Sequence, residues 1–220
     1  MPRLTYAALL PLRARTAAIV VVAAVLLSGC QGGSPTAGNS ETHTTTASPT
    51  SSVSSPVASA APPSSGAYKP ADASGKAQNV PVPVMPELAK ENSKAGLEAF
   101  IRYYYSIKNH ANETGDVSTL ITLNSPECVA CSKLLAGTRD SYVGGRWMVG
   151  GRINIPVLDL DWQEGTASHS AKLQLIQDAI NYYNADGTEG RPPSAATNGA
   201  FIFVGRYESS WKAAEIAVLR

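Results

Sequence analysis

Between Ser93 and Gly115, apolar residues recur at the three- and four-residue intervals that place them on one face of an α-helix. The apolar positions are Leu97, Phe100, Ile101, Tyr104 and Ala111. Asn92 and Ser93 are good helix caps, and Gly115 suits the left-handed residue that ends a helix. The pattern therefore predicts a first helix between these caps.

Two shorter helices are predicted to follow the first one. Asp116 can cap a helix that extends to Leu123. Ser125–Pro126 is typical of an N-cap with proline in the first helical turn, and it predicts a third helix to about Val143. The glycine pair at Gly144–Gly145 then interrupts the helical pattern.

The second half of the chain changes to the two-residue alternation of β-strands. Apolar residues alternate in one phase and then in the other, with the switch beside Pro156. The two sets are Ile153, Ile155 and Val157, then Leu158, Leu160 and Trp162. A phase switch next to proline predicts a bulge and a bent strand.

Residues 168–183 fit both a helix and a strand, and we favour a strand because a turn-rich segment follows at residues 184–187. Phe201–Tyr207 and Trp211–Leu219 predict a terminal hairpin. Helices followed by strands predict an α+β domain over residues 68–220, in which N-terminal helices pack on a curved antiparallel sheet.

The first residues predict an export signal instead of part of the fold. Arg3, Arg13 and Arg15 precede the apolar run Ala17–Leu27, which is too short to span a bilayer core of roughly 30 Å. This pattern is typical of a secretory signal peptide, here residues 1–29. The sequence Leu-Ser-Gly-Cys at its end resembles the lipobox of bacterial lipoproteins. That resemblance implies that the Cys30 thiol carries a lipid, which holds the protein on the outer face of the cell membrane.

Residues 30–67 predict the lipidated Cys30 followed by a disordered linker. Gln31 to Ala67 consists almost entirely of Ser, Thr, Pro, Ala and Gly, with one acidic residue, Glu41, and no Lys or Arg. Such a segment has too few apolar side chains to offset the entropy of ordering its backbone. The linker is therefore expected to hold the domain off the membrane.

The stretch from Val80 to Cys131 resembles the family DUF6318. The resemblance rests on the Pro-Val segment before the first helix, the aromatic helix itself, Thr-Gly-Asp at its end and the Cys-Val-Ala-Cys motif. It implies an actinobacterial lipoprotein of unknown function. The order of helices and sheet is also similar to the NTF2-like, or cystatin-like, cone.

Charge and composition exclude several classes of function. Eighteen basic and 17 acidic residues give a net charge of +1, so no overall positive field favours nucleic acid. Three His and three Cys, without a second Cys-x-x-Cys, predict neither a metal site nor a cofactor.

Cys128 and Cys131 have two interpretations. In an oxidising compartment the pair predicts a structural disulfide in a tight loop. Alternatively, the start of a helix lowers the pKa of a thiol, which would suit thiol–disulfide exchange. A thioredoxin-like motif follows a strand, however, and here the pair follows a corner between helices.

Two further groups of residues are candidates for a site. Tyr104, with Trp147 or Trp162, could line an aromatic pocket at the mouth of a cone. His169 with Asp159 or Asp161 is the candidate acid–base pair.

The sequence predicts a membrane-anchored lipoprotein of the cell envelope. Its domain would bind a partner protein or a small apolar ligand without catalysis. The alternative is an envelope enzyme, either a hydrolase or isomerase with a His–Asp pair or a thiol oxidoreductase.

Overall fold

Residues 66–219, the part of the chain that the computed structural model describes, form three α-helices followed by six strands. The helices are α1 (Lys94–Thr114), α2 (Ser118–Leu123) and α3 (Val129–Asp140), with short 3-10 turns at Glu87–Lys90 and Val143–Gly145. The strands are β1 (Trp147–Gly150), β2 (Ile153–Asp161), β3 (Ser168–Gln177), β4 (Ile180–Tyr183), β5 (Thr197–Tyr207) and β6 (Trp211–Val218). The predicted signal peptide of residues 1–29, Cys30 and the linker up to residue 65 lie outside the described residues.

The limits of α1 confirm the prediction from its caps. The Ser93 hydroxyl oxygen accepts a hydrogen bond from the backbone N–H of Gly96 at 3.0 Å. Gly115 ends the helix with φ at 79°, a left-handed conformation that glycine adopts without steric cost. Asp116 accepts from the N–H of Ser118 at 2.9 Å and so supports the start of α2.

The predicted start of α3 is wrong. The helix begins at Val129 with Cys128 as its N-cap, and it ends at Asp140. Ser125 instead donates its backbone N–H to the carbonyl of Ala213 on β6, at 2.9 Å. This tertiary bond holds the segment beside the sheet, so the chain turns once more before the helix starts.

Four antiparallel strands make the main sheet in the order β2-β3-β5-β6, while β1 and β4 form a separate antiparallel pair. The bulge in β2 is confirmed, because the pairing with β3 shifts register between Asn154 and Val157. The strand interpretation of residues 168–183 is also confirmed, although the segment divides into β3 and β4. The β5–β6 hairpin is present as predicted.

One face of the sheet packs on α1 and forms the core. The Phe203 ring on β5 lies 5.4 Å from the Tyr104 ring and 6.3 Å from the Phe100 ring, measured between centroids. Trp211 on β6 is also buried, and its indole N–H donates to the carbonyl of Glu91 at 2.8 Å. Aromatic pairs at these distances add to the stabilisation from apolar burial.

Gly96 and Gly137 give a matched pair of helical glycines. A Cβ at Gly96 would lie 2.1 Å from the carbonyl oxygen of Glu91, whereas a Cβ at Gly137 meets no atom within 4 Å. Gly96→Ala should therefore destabilise the fold by about 1–3 kcal/mol. Gly137→Ala should stabilise it by about 0.5–1 kcal/mol, because alanine is the better helix former. Urea unfolding measures both, and equal effects of the two substitutions would contradict the close packing at Gly96.

Candidate functional site

A segment of mostly extended backbone, residues 66–86, runs along α1, and we name it the strap. Lys69 and Gln78 exchange two backbone hydrogen bonds, of 3.0 and 2.9 Å, which close the strap into a narrow loop. The tip of this loop is held by Trp147, whose indole N–H donates to the carbonyl of Asp72 at 2.9 Å. The strap is therefore attached to β1 as well as lying beside α1.

A cavity of about 320 Å³, which we name the strap cleft, lies between the strap and α1. Its apolar wall comes from the strap and consists of Val80, Pro81 and Pro83. Its polar wall comes from one stripe of α1, at helical spacing, and from two flanking residues. These polar residues are Ser106, Asn109, His110 and Glu113 on α1, with Tyr68 and Arg152 beside them. A volume of this size lies at the small end of the range for small-molecule sites.

The Tyr68 hydroxyl lies near two opposite charges, Glu113 and Arg152. That hydroxyl donates a hydrogen bond to Oε2 of Glu113 at 2.9 Å. Burial and then the Glu113 carboxylate raise the pKa of Tyr68, and the Arg152 guanidinium opposes them. Within residues 66–219, neither Glu113 nor Arg152 forms an ion pair. Both charges remain available to a third group in the strap cleft.

His110 adds an imidazole to the same wall. Partial burial lowers the pKa of His110, and the nearby carboxylates of Asp116 and Glu113 act in the opposite direction. A lowered pKa leaves the ring largely neutral at pH 7. It can therefore donate one hydrogen bond and accept another without adding net charge to the cleft.

Asn109 fixes the floor of the strap cleft by joining α1 to the start of β2. Its side-chain amide donates to the carbonyl of Ile153 at 2.9 Å, and its carbonyl accepts from the Ile153 N–H at 2.8 Å. The amide thus satisfies both backbone groups of one strand residue, as a neighbouring strand would. This pair of bonds holds the neighbouring β1–β2 turn, which carries Arg152, against the helix.

Lys108, next along α1, belongs to a buried polar cluster outside the strap cleft. Its ammonium donates to the side-chain oxygens of Asn112 and Thr138, and Asn112 donates in turn to the carbonyl of Gly151 at 2.8 Å. No carboxylate within residues 66–219 forms an ion pair with Lys108. Burial therefore lowers the pKa of Lys108 from 10.5 to about 8.

The lowered pKa of Lys108 predicts a rise in stability at alkaline pH. Between about pH 8 and 10.5, the unfolded chain holds the lysine proton and the folded chain releases it. The unfolded state binds more protons in this window, so the free energy of unfolding should increase with pH, by roughly 3 kcal/mol in total. Urea unfolding of the wild type and of Lys108→Met isolates this contribution as the difference between their pH profiles. Lys133→Met, at an exposed position, serves as the control. Parallel profiles for wild type and Lys108→Met would contradict the prediction.

The predicted acid–base pair is not assembled. Residues 169, 171, 173 and 175 of β3 are buried, so His169 lies on the face of the sheet that packs on the core. Asp159 pairs with Lys172 and Asp161 pairs with Ser170, which puts both carboxylates on the opposite, exposed face. The sheet therefore separates His169 from Asp159 and Asp161. His169 stacks on the Trp162 ring instead, with 3.8 Å between the ring centroids.

The three aromatic residues predicted to line one pocket lie in separate contacts. Tyr104 packs in the core against Phe203, and burial raises its pKa. Trp147 stacks on Tyr183 in the β1–β4 pair, while Trp162 covers His169. No ring contact among the described residues joins Tyr104, Trp147 and Trp162, and the aromatic pocket stays a prediction. Apolar packing between α1 and the sheet accounts for the position of Tyr104.

Cys128 and Cys131 form a disulfide at the start of α3. Their exposed fractions are only 2% and 0%, and the N–H of Cys131 donates to the Cys128 sulfur at 3.2 Å. Thiol–disulfide exchange requires a reductant to reach one sulfur. The burial of both sulfurs therefore favours the structural interpretation over the catalytic one.

We expect the disulfide to resist mild dithiothreitol in buffer and to be reduced in urea, because only unfolding exposes the sulfurs. Thiol counting with a chromogenic reagent measures this, and the Cys30→Ala background removes the remaining cysteine. Rapid reduction of the folded protein would instead support the oxidoreductase alternative.

The strap cleft was missed at the sequence level, although one signal was present. Ser106, Asn109, His110 and Glu113 recur at intervals of three and four residues and so form a polar stripe on α1. The stripe by itself is indistinguishable from a solvated helix face. Only the position of the strap converts it into one wall of a cavity.

Within the described residues there is neither a cluster of metal ligands nor a helix that could span a membrane. Within residues 66–219, no group of three His, Cys, Asp or Glu side chains could hold a metal ion. In the same part of the chain, no helix has the length and apolar character needed to cross a membrane.

Comparison with known proteins identifies a family and weakly similar solved structures. The model of DUF6318, described as a family of unknown function, matches residues 66–216. No curated protein matches the chain significantly in sequence.

Two solved structures are weakly similar to this chain. The intermembrane space region of the chloroplast protein ARC6 is 12% identical with a TM-score of 0.44, over 59% of this chain and 98% of that chain. A putative calcium/calmodulin-dependent protein kinase II association domain from Xanthomonas campestris is 9% identical with a TM-score of 0.34, over 58% and 87%.

Proposed function

This chain belongs to DUF6318, a family of unknown function, and we propose that it is a lipid-anchored lipoprotein of the cell envelope whose domain binds a small ligand in the strap cleft. The binding part of the proposal depends on one observation, the cavity with a polar wall on α1 and an apolar wall on the strap. The anchoring part depends on the lipobox-like sequence that ends at Cys30.

Lipid anchoring follows from the order of segments at the N-terminus. A basic region, a short apolar run and Leu-Ser-Gly-Cys place the Cys30 thiol where a diacylglyceryl group is added in actinobacterial and other bacterial lipoproteins. Two acyl chains anchor a protein stably, whereas one chain binds reversibly. The domain would then stand on the outer face of the cell membrane, at the end of the linker.

Cys30→Ala should release the protein from membranes into the soluble fraction, because it removes the only thiol near the predicted cleavage site. Gln31→Ala, which leaves the acceptor in place, is the matched control and should remain in the membrane fraction. Fractionation with immunodetection follows both variants, and mass spectrometry of the wild-type N-terminal peptide should find a lipidated Cys30. Membrane retention of Cys30→Ala, or an unmodified Cys30 in the wild type, would refute the anchoring.

A binding role for the strap cleft is supported by how its walls are held. The strap is attached at Asp72 by Trp147 and at Tyr68 by Glu113. Ligand sites typically combine apolar walls with a few fixed polar groups, and this cavity has both. The ligand is therefore expected to be amphipathic, with a polar part that the small apolar ligand named from the sequence does not include.

We also propose that the domain is an NTF2-like cone. Support comes from the helices that precede the sheet and from two irregularities in strand pairing, in β2 and between β5 and β6, of the kind that bend strands. The core face is occupied by Phe100, Tyr104 and Phe203, so a cone of this type would be filled by side chains.

The remaining sequence-level alternatives differ in their support. A hydrolase or isomerase based on His169 is disfavoured, because Asp159 and Asp161 lie on the opposite face of the sheet. A thiol oxidoreductase is disfavoured because both cysteines are buried. A partner protein in the envelope stays a prediction. The exposed side chain of Val129, beside the edge strand β6, is the feature that would suit one.

A further inference from the structure

We propose that the strap cleft binds a small zwitterion, a free α-amino acid with an apolar side chain; the inference rests on the binding function proposed above and names its ligand class. The carboxylate of the ligand would contact Arg152, its ammonium would contact Glu113, and its side chain would lie against Val80, Pro81 and Pro83.

Arg152 is suited to a carboxylate. Its side chain is exposed, lines the strap cleft and forms no ion pair within residues 66–219. The backbone that carries it is held rigidly, because its carbonyl accepts from the N–H of Asp178 at 3.0 Å and Gly151 donates to Ala179 at 3.0 Å. A guanidinium presents paired N–H groups that match the two oxygens of a carboxylate.

Glu113 is suited to an ammonium group. It lies in the last turn of α1, where the partial negative charge of the helix end disfavours a carboxylate and attracts a cation. A glutamate here is therefore unfavourable for the helix alone, and a bound cation would compensate for it. Oε2 already accepts from Tyr68, so Oε1 remains for the ligand.

Glu113 and Arg152 form no ion pair with each other. Both charges nevertheless influence the Tyr68 hydroxyl, which donates to the Glu113 carboxylate. A purely anionic ligand would leave Glu113 uncompensated in the cleft, and a purely cationic ligand would leave Arg152 uncompensated. Only a molecule that carries both charges neutralises both residues.

The size and the opposite wall of the cleft restrict the rest of the ligand. A cavity of about 320 Å³ is large enough to hold a free amino acid. Val80, Pro81 and Pro83 offer no side-chain hydrogen bonds, so the group that faces them should be apolar. This combination distinguishes an apolar amino acid from a polar metabolite that also carries both charges.

Isothermal titration of the full-length processed protein tests the inference with valine, leucine and phenylalanine, which cover three sizes of side chain. At least one should bind. For the amino acid that binds, we expect a loss of about tenfold or more in affinity when either charge is removed from the ligand. For leucine the matched probes are 4-methylpentanoate, which lacks the ammonium, and 3-methylbutylamine, which lacks the carboxylate.

Two variants test which residue binds each charged group of the ligand. Arg152→Gln should weaken the binding of leucine and 4-methylpentanoate and leave the binding of 3-methylbutylamine unchanged. Glu113→Gln should weaken the binding of leucine and 3-methylbutylamine and leave the binding of 4-methylpentanoate unchanged. Arg139→Gln, at an exposed site on α3, is the control and should bind as the wild type does. Equal binding of all three probes, or leucine affinity that neither variant alters, would overturn the inference.

The same protein separates failure of this inference from failure of the proposed function. Resonance shifts at His110 and Ser106 in the presence of a mixed extract of small envelope metabolites, without binding of the three amino acids, would reject the zwitterion and retain the ligand site. No shift in the cleft with any sample would reject both.

Discussion

The apolar contact between α1 and the main sheet is the interaction on which the other features depend. Phe100 and Tyr104 on the helix pack against the Phe203 ring at centroid distances of 6.3 and 5.4 Å. Burial of these rings away from water stabilises the folded state. Gly96 lets the preceding 3-10 turn approach the helix within a distance that no larger residue allows. With α1 held on the sheet in this way, its remaining sides are available for the polar cluster around Lys108 and for the strap cleft.

One helix thus serves both packing and binding. The core stripe of α1 faces the sheet, and the stripe from Ser106 to Glu113 faces the strap. Asn109 connects the two roles, since its side chain bonds both backbone groups of Ile153 and holds the start of β2 at the floor of the cleft. A wall held in this way suits a binding site, because little of it then has to become ordered when a ligand binds.

Strand register decides which polar residues can cooperate. Asp159, Asp161 and His169 are close in sequence, and their types suit acid–base chemistry, yet pairing of Asp161 with Ser170 places His169 on the other face of the sheet. Side chains alternate between the faces of a strand, so a shift of one residue would have brought them together. The Cys128–Cys131 disulfide does not depend on strand register in this way, because its two residues are only three positions apart in the chain.

The sequence by itself determined the α+β order of elements, the caps of α1 at Ser93 and Gly115 and the bulge in β2, because these depend on local backbone preferences and on short periodicities. Its N-terminal motif also predicts the lipid on Cys30. Local preference did not decide the start of α3, since a hydrogen bond from Ser125 to distant Ala213 displaced it. Only the tertiary structure brought Tyr68 and Arg152 to the polar stripe of α1, because they lie 45 residues before and 39 residues after Glu113 in the chain.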